Sequence, residues 1–309
     1  MMQPWLFVLI CSPFCLASSV VNIFFFSWLI RPAAGVTVRY PMRFLLITVL
    51  CNSAFLQIVT AVIMINTVVI PPFWFHTVTR VLIYQGFTGN FSCNAWISIF
   101  YHVSIVPQHR AILVWIKRHI TGVIYVGFTS TQVLLIFSLT LGTITFLMDT
   151  DATSINSTIN TLNTSSLHQP KELKFFQLSN LLYVLYCTCP LITLSVSWGK
   201  TFVYLRGHMK QMGQNESFSQ SQQKSQMRVT VIGMIQAAVF LPSSLWTVVA
   251  AFLYVFNLFD VVDPSRYITI SFCAVSNLGN LLCFGFSQSV FRVRIVSLLR
   301  KLKRNKEDS

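Results

Sequence analysis

Residues 1–30, MMQPWLFVLICSPFCLASSVVNIFFFSWLI, contain no Asp, Glu, Lys or Arg. About 20 apolar residues cross the hydrocarbon core of a bilayer, so this single run is long enough to span one. Six further charge-free intervals follow, 44–79, 81–109, 119–148, 175–199, 229–259 and 267–291, and each predicts a spanning helix. The expected fold is an all-α, seven-transmembrane helix bundle forming one domain over 1–309. Its spans fall at about 5–30, 44–68, 91–116, 120–148, 175–205, 227–256 and 267–291, with a cytoplasmic tail at 292–309. An eighth charge-free interval, 152–170, begins Ala-Thr-Ser-Ile-Asn-Ser-Thr-Ile-Asn-Thr. Its backbone-competing side chains predict a loop in water.

Composition agrees with the spans. Of 309 residues 54% are hydrophobic and 10% charged, with a mean hydropathy of +0.65. A disordered chain or an ordinary soluble enzyme does not have this balance. The first run has no basic residues at its start and stays apolar to Ile30, so despite Ala17-Ser18-Ser19 it reads as a span rather than a cleaved signal peptide. No internal repeat is evident, which gives an inverted-repeat transporter no support.

The net charge is +14, and its distribution sets the orientation. Arg31, Arg39, Arg43, Arg110, Lys117, Arg118, Lys200, Arg206, Lys210, Lys224, Arg228 and seven residues from Arg292 to Lys306 fall on one side of the seven spans. Arg80, Lys171, Lys174 and Arg266 fall on the other. Basic loops stay in the cytoplasm. The expected protein is therefore a multi-pass plasma-membrane protein with its amino terminus outside and its carboxyl terminus inside. The expected outer loop, 149–174, carries acceptor sequons at Asn156 and Asn163. The sequon at Asn90 lies too close to the bilayer, and Asn215 belongs to the cytoplasmic side.

All eight acidic residues fall in predicted loops or the tail. Pumps and proton-coupled carriers place carboxylates at membrane depth, and a receptor for protonated amines needs one to meet the ammonium. His102 and the mid-span serines have no acidic orienter, so hydrolytic chemistry is not expected either. Seven of the eight cysteines lie inside spans and Cys93 falls near an outer mouth, while the 149–174 loop has none to pair with it. Cys187 and Cys189 point to different faces of a helix and do not make a metal site. No cofactor, no metal and no nucleic-acid partner is expected. Lys200 can snorkel to the cytoplasmic headgroups. Asn22, Asn52, Gln57, Asn66, Asn180, Gln236, Asn277 and Asn280 are expected mostly to bond one helix to another.

Particular residues go further. The stretch Ile97-Ser98-Ile99-Phe100-Tyr101, with Ile112-Leu113-Val114-Trp115-Ile116-Lys117 after it, is similar to the type 2 (bitter) taste receptors. Their third span reads L-S-V-F-Y and leaves the membrane in a W-L-K-like exit. Pro190, Leu205, His208 and Met212 fall at the spacing of the same family's P…S-L-x-x-H-x-x-x-M signature. The chain departs from the family at Ser104, where a Lys is usual, and in its seventh span, where the family's P-S-x-H-S run and Lys-Leu exit are not found and Ser276-Asn277-Leu278-Gly279-Asn280 and Phe291-Arg292 stand instead. Val103-Ser104-Ile105-Val106-Pro107 also resembles the vomeronasal type 1 receptors. The rhodopsin-like D-R-Y, C-W-x-P and N-P-x-x-Y signatures are missing.

The resemblance implies a chemosensory G-protein-coupled receptor. Its ligand would be a small extracellular molecule such as a bitter tastant, and its partner a heterotrimeric G protein of gustducin-like or inhibitory class. Ser92 and Trp96 lie at i and i+4, with Cys93 beside them. Tyr183, Tyr186 and Pro190 make a second stripe. Each stripe suits either a ligand cavity with hydroxyl handles or plain helix packing. The resemblance adds Ser243, Trp246 and Thr247 to the ligand side. Pro242 removes a backbone bond and is expected to kink the sixth span. On the cytoplasmic side it implies that His109, Arg110, Trp115, Lys117, Arg206, His208, Lys210 and Arg228 surround a G-protein cleft. The positive-inside rule and attraction to membrane lipid account for the same charges. Ile295, Leu298, Leu299 and Leu302 repeat at helical spacing among basic residues, predicting a short amphipathic helix on the inner leaflet.

Overall fold

A computed structural model describes the backbone of residues 3–30, 40–67, 73–107, 111–159, 170–211, 217–255, 263, 267–288 and five separate positions between Phe291 and Arg304. The described residues are almost all helical and include no strand. Among the described residues seven helices are long: α1 (Pro4–Ile30), α2 (Tyr40–Asn66), α3 (Phe73–Ile105), α5 (Ile120–Ile159), α6 (Pro170–Gln211), α7 (Ser217–Val255) and α8 (Tyr267–Ser287); a short α4 (Ala111–Arg118) precedes α5. Five of them contain stretches long and apolar enough to cross a membrane: Pro4–Ile30, Tyr40–Asn66, Ile120–Phe137, Gln226–Ala250 and Tyr267–Ser287. This marks a multi-pass helical membrane protein.

Surface and interior differ in the way a lipid-bathed helix requires. On α1, Leu16, Val20 and Ile23 are 68–71% exposed, while Phe7, Cys11 and Phe25 are buried. Apolar side chains on both faces leave no amphipathic stripe, as expected where the solvent is itself apolar.

Local chemistry sets the helix ends. α1 and α6 begin at Pro4 and Pro170, where the missing N–H would have had no intrahelical acceptor. α3 ends two residues before Pro107, because proline disfavours helical backbone in the residue ahead of it. The expected third span, 91–116, is therefore divided: 111–116 belongs to α4, not α3. Backbone bonds from His119 to Trp115 and from Val123 to His119 carry α4 into α5. α3 also starts 18 residues before the expected position, with Arg80 inside it. The predicted loop 152–170 is overturned in its first part, since α5 continues helical to Ile159. α7 continues through Pro242.

Consecutive long helices pack on one another, and α8 returns to α1. α3 lies against α2, α5 and α6 and also touches α8. Two apolar clusters line the interior. One joins Phe25, Leu45, Val49, Cys93, Ile97, Phe100, Ile124 and Phe284; the other joins Phe7, Leu56, Phe87, Phe91, Trp198, Phe240 and Ile270. Past α8, Phe291 is buried and stacks on Phe25 at 4.4 Å, and the Arg294 guanidinium lies 5.8 Å from the Trp28 ring centre. Phe291, Arg294, Ser297, Arg300 and Arg304 are helical, whereas Ile295, Leu298, Leu299 and Leu302 lie outside the described residues.

Candidate functional site

The long α3 places Ser92, Cys93 and Trp96 in the middle of the bundle. Cys93 lies 20 residues into its helix, about 30 Å along the axis, and is fully buried, so it is not at an outer mouth. Its Sγ takes a hydrogen bond from Asn52 Nδ2 of α2 at 3.7 Å. Ser92 Oγ and Thr131 Oγ1 of α5 lie 3.1 Å apart. The Trp96 ring rests against Gly127 of α5 so closely that a Cβ there would come within 2.2 Å of it. The Ser92–Trp96 stripe is thus the seam between α3 and α5, held by a large ring on a residue with no side chain.

On α7, Ser243 and Trp246 reach α8. Ser243 accepts a hydrogen bond from Ser276 at 2.9 Å and donates to the Phe240 carbonyl; Thr247 donates to the Ser243 carbonyl. Trp246 is half-buried, its ring centre 5.8 Å from that of Phe272, and its indole N–H donates to Thr269 Oγ1 at 2.8 Å. Thr269 in turn donates to Asp263 Oδ2 at 2.9 Å. Asp263 also receives the backbone N–H groups of Ile268 and Thr269, which caps α8.

Asp263 is 3% exposed, so one carboxylate expected in an outer loop is buried after all. Its oxygens are taken by the helix end and Thr269, and the positive end of the helix compensates its charge.

Among the described contacts, none joins the α3 stripe to the α7 residues. On α6, Tyr186 is half-buried and the side chain of Tyr183 lies outside the described residues. Asn156 falls near the end of α5 and Asn163 outside the described residues. Asn90 is 2% exposed, which closes that sequon to modification in the folded chain.

At the opposite end of these helices, Arg206, Lys210 and Arg228 are exposed and His208 is half-buried, its ring centre 5.8 Å from that of Tyr204. Trp115 is 57% exposed and Lys117 is exposed on α4; His109 and Arg110 lie outside the described residues. Between this end and the interior, His102 Nδ1 meets Thr201 Oγ1 at 3.0 Å, and Tyr101 donates to Gln288 Oε1 at 3.3 Å. Lys200 is exposed beside them.

Among the described residues one polar grouping combines expected and unforeseen residues. Asn90 and Asn94 of α3, Gln236 of α7 and Asn277 and Asn280 of α8 bring five buried amides together. Asn90 Nδ2 donates to Asn277 Oδ1 at 3.3 Å and Asn94 Nδ2 to Asn280 Oδ1 at 3.2 Å. Gln236 Nε2 reaches both Asn94 Oδ1 at 2.8 Å and Asn280 Oδ1 at 2.5 Å. Gln236, Asn277 and Asn280 stand out in the sequence as amides inside spans. The spacing of Asn90 and Asn94, one helical turn apart, is the signal that would have added the other two. The sequence matches no family profile and no characterised protein.

Proposed function

We propose that the chain is a seven-helix G-protein-coupled receptor of chemosensory type, most akin to the bitter-taste receptors. A small extracellular molecule would bias the bundle toward a state that receives a G protein of gustducin-like or inhibitory class. The observation that carries this reading is the arrangement of the seven long helices. They neighbour one another in chain order, α8 closes on α1, and α3 lies against α2, α5, α6 and α8. The cationic residues clustered on one predicted side support an amino terminus outside and a carboxyl terminus in the cytoplasm.

Ligand recognition is assigned to the outer halves of α6 and α7, where Tyr186 and Trp246 are half-buried. Such rings suit an uncharged, largely apolar molecule, and the only buried carboxylate among the described residues, Asp263, is already engaged. Arg206, Lys210 and Arg228 are placed to receive an acidic-ended helix of the G protein. A vomeronasal type 1 receptor would differ in ligand and cell type, and a transporter would move its ligand without signalling.

The test is a calcium assay in cells co-expressing the chain and a promiscuous G protein, challenged with a panel of bitter compounds. A dose-dependent response that requires the chain supports the receptor. Flux of a labelled compound with no signal would make it a transporter.

A further inference from the structure

The amide layer between α3, α7 and α8 is incompletely paired. Asn90, Asn94, Gln236, Asn277 and Asn280 are each 6% exposed or less. Two amide N–H groups, from Asn94 and Gln236, converge on Asn280 Oδ1, which fixes how that amide is turned. Turning it over would set donor against donor. Asn280 Nδ2 therefore points away from both and has no protein partner. Asn90 spends its own Nδ2 on Asn277, and its Oδ1 likewise has no protein partner. One donor and one acceptor remain in a region closed to solvent, where buried polar groups are ordinarily bonded.

The geometry points to a site for a single buried water, accepting from Asn280 Nδ2 and donating to Asn90 Oδ1, that ties α3 to α8 beside Gln236. The chemistry selects this occupant. A cation would face the Asn280 N–H, an anion would face the Asn90 oxygen, and the cluster contains no carboxylate to neutralise a metal. Water offers a donor and an acceptor at once and is the usual partner of buried polar groups left unpaired by protein. The two unpaired groups stand on neighbouring rungs of one layer. The two rungs, Asn90–Asn277 and Asn94–Asn280, are offset by four residues on α3 and three on α8, or about 4.5–6 Å of helix rise. A water with two ordinary hydrogen bonds at its near-tetrahedral angle joins partners about 4.5–5 Å apart. Close packing seals the layer: a Cβ on Gly279, between Asn277 and Asn280, would meet Val239 Cγ1 of α7 at 2.5 Å.

This site does not depend on the receptor reading, and two measurements on the unaltered full chain test it. An experimental density map at a resolution that resolves ordered water should show a peak about 3 Å from both Asn90 Oδ1 and Asn280 Nδ2. A map without that peak, in which the two amides pair with other protein groups, would overturn the proposal. The melting temperature of the purified protein should be the same in sodium chloride and choline chloride at equal ionic strength. A rise specific to sodium would make the occupant a cation and overturn it as well.

Discussion

The indole of Trp198 lies directly on Gly233, so that a Cβ at position 233 would come 2.2 Å from Cε2 of the ring. This contact joins α6 to α7, and the same indole packs 5.6 Å from the Tyr101 ring of α3. Without a side chain at 233, three helices share one aromatic contact that dispersion forces can exploit. Gly233→Leu must push α6 and α7 apart, and overpacking of this kind costs about 1–3 kcal/mol. Thermal unfolding of the purified variant should show a clear drop in midpoint, with Gly233→Ala in between. A midpoint equal to that of the unaltered chain would contradict the contact.

Trp96 and Gly127 repeat the device between α3 and α5. Trp96→Ala should destabilise the fold, by less than the ~3–5 kcal/mol for deleting a fully buried large aromatic side chain, because Trp96 is half-buried. Ligand potency, measured on the receptors that still reach the cell surface, should not change. Reduced potency at full stability would return Trp96 to the ligand site.

Asp263 accepts three hydrogen bonds at the start of α8 and connects through Thr269 to Trp246. Asp263→Ala removes the cap, a loss of about 1 kcal/mol for the helix end alone. Faster amide exchange is expected over residues 267–271 and little change at residues 280–287. Asp263→Asn, which retains one acceptor oxygen, should fall between the two. Unchanged exchange at the helix start would show that the carboxylate is not the cap.

Arg228 is exposed near the cytoplasmic end proposed for α7. Arg228→Ala should leave ligand binding intact and weaken G-protein activation several-fold in a nucleotide-exchange assay. Equal activation would leave its charge with the membrane surface alone.

The helices were legible wherever the absence of charge was the message. α1, α2 and α8 start and finish within about four residues of their expected positions. α3 was harder, because Arg80 divides its sequence into two charge-free intervals although one cation near a helix end can reach water from a continuous helix. The reach of α5 to Ile159 was missed because Ser, Thr and Asn only weakly oppose helix formation. Which way a side chain faces is a tertiary matter. The i, i+4 spacing of Ser92 and Trp96 fixes a shared face, but only the packing of α5 against α3 shows what that face meets. Asp263 looked like a loop residue because its helix begins four positions later, and a cap that acts across a turn leaves little periodic trace.

Topology is the claim on which the receptor reading depends. An epitope tag at each end of the chain, stained in intact and then in permeabilised cells, measures it directly. The amino-terminal tag should stain intact cells and the carboxyl-terminal tag should stain only after permeabilisation. Both tags on the same face of the membrane would require an even number of crossings and would contradict it.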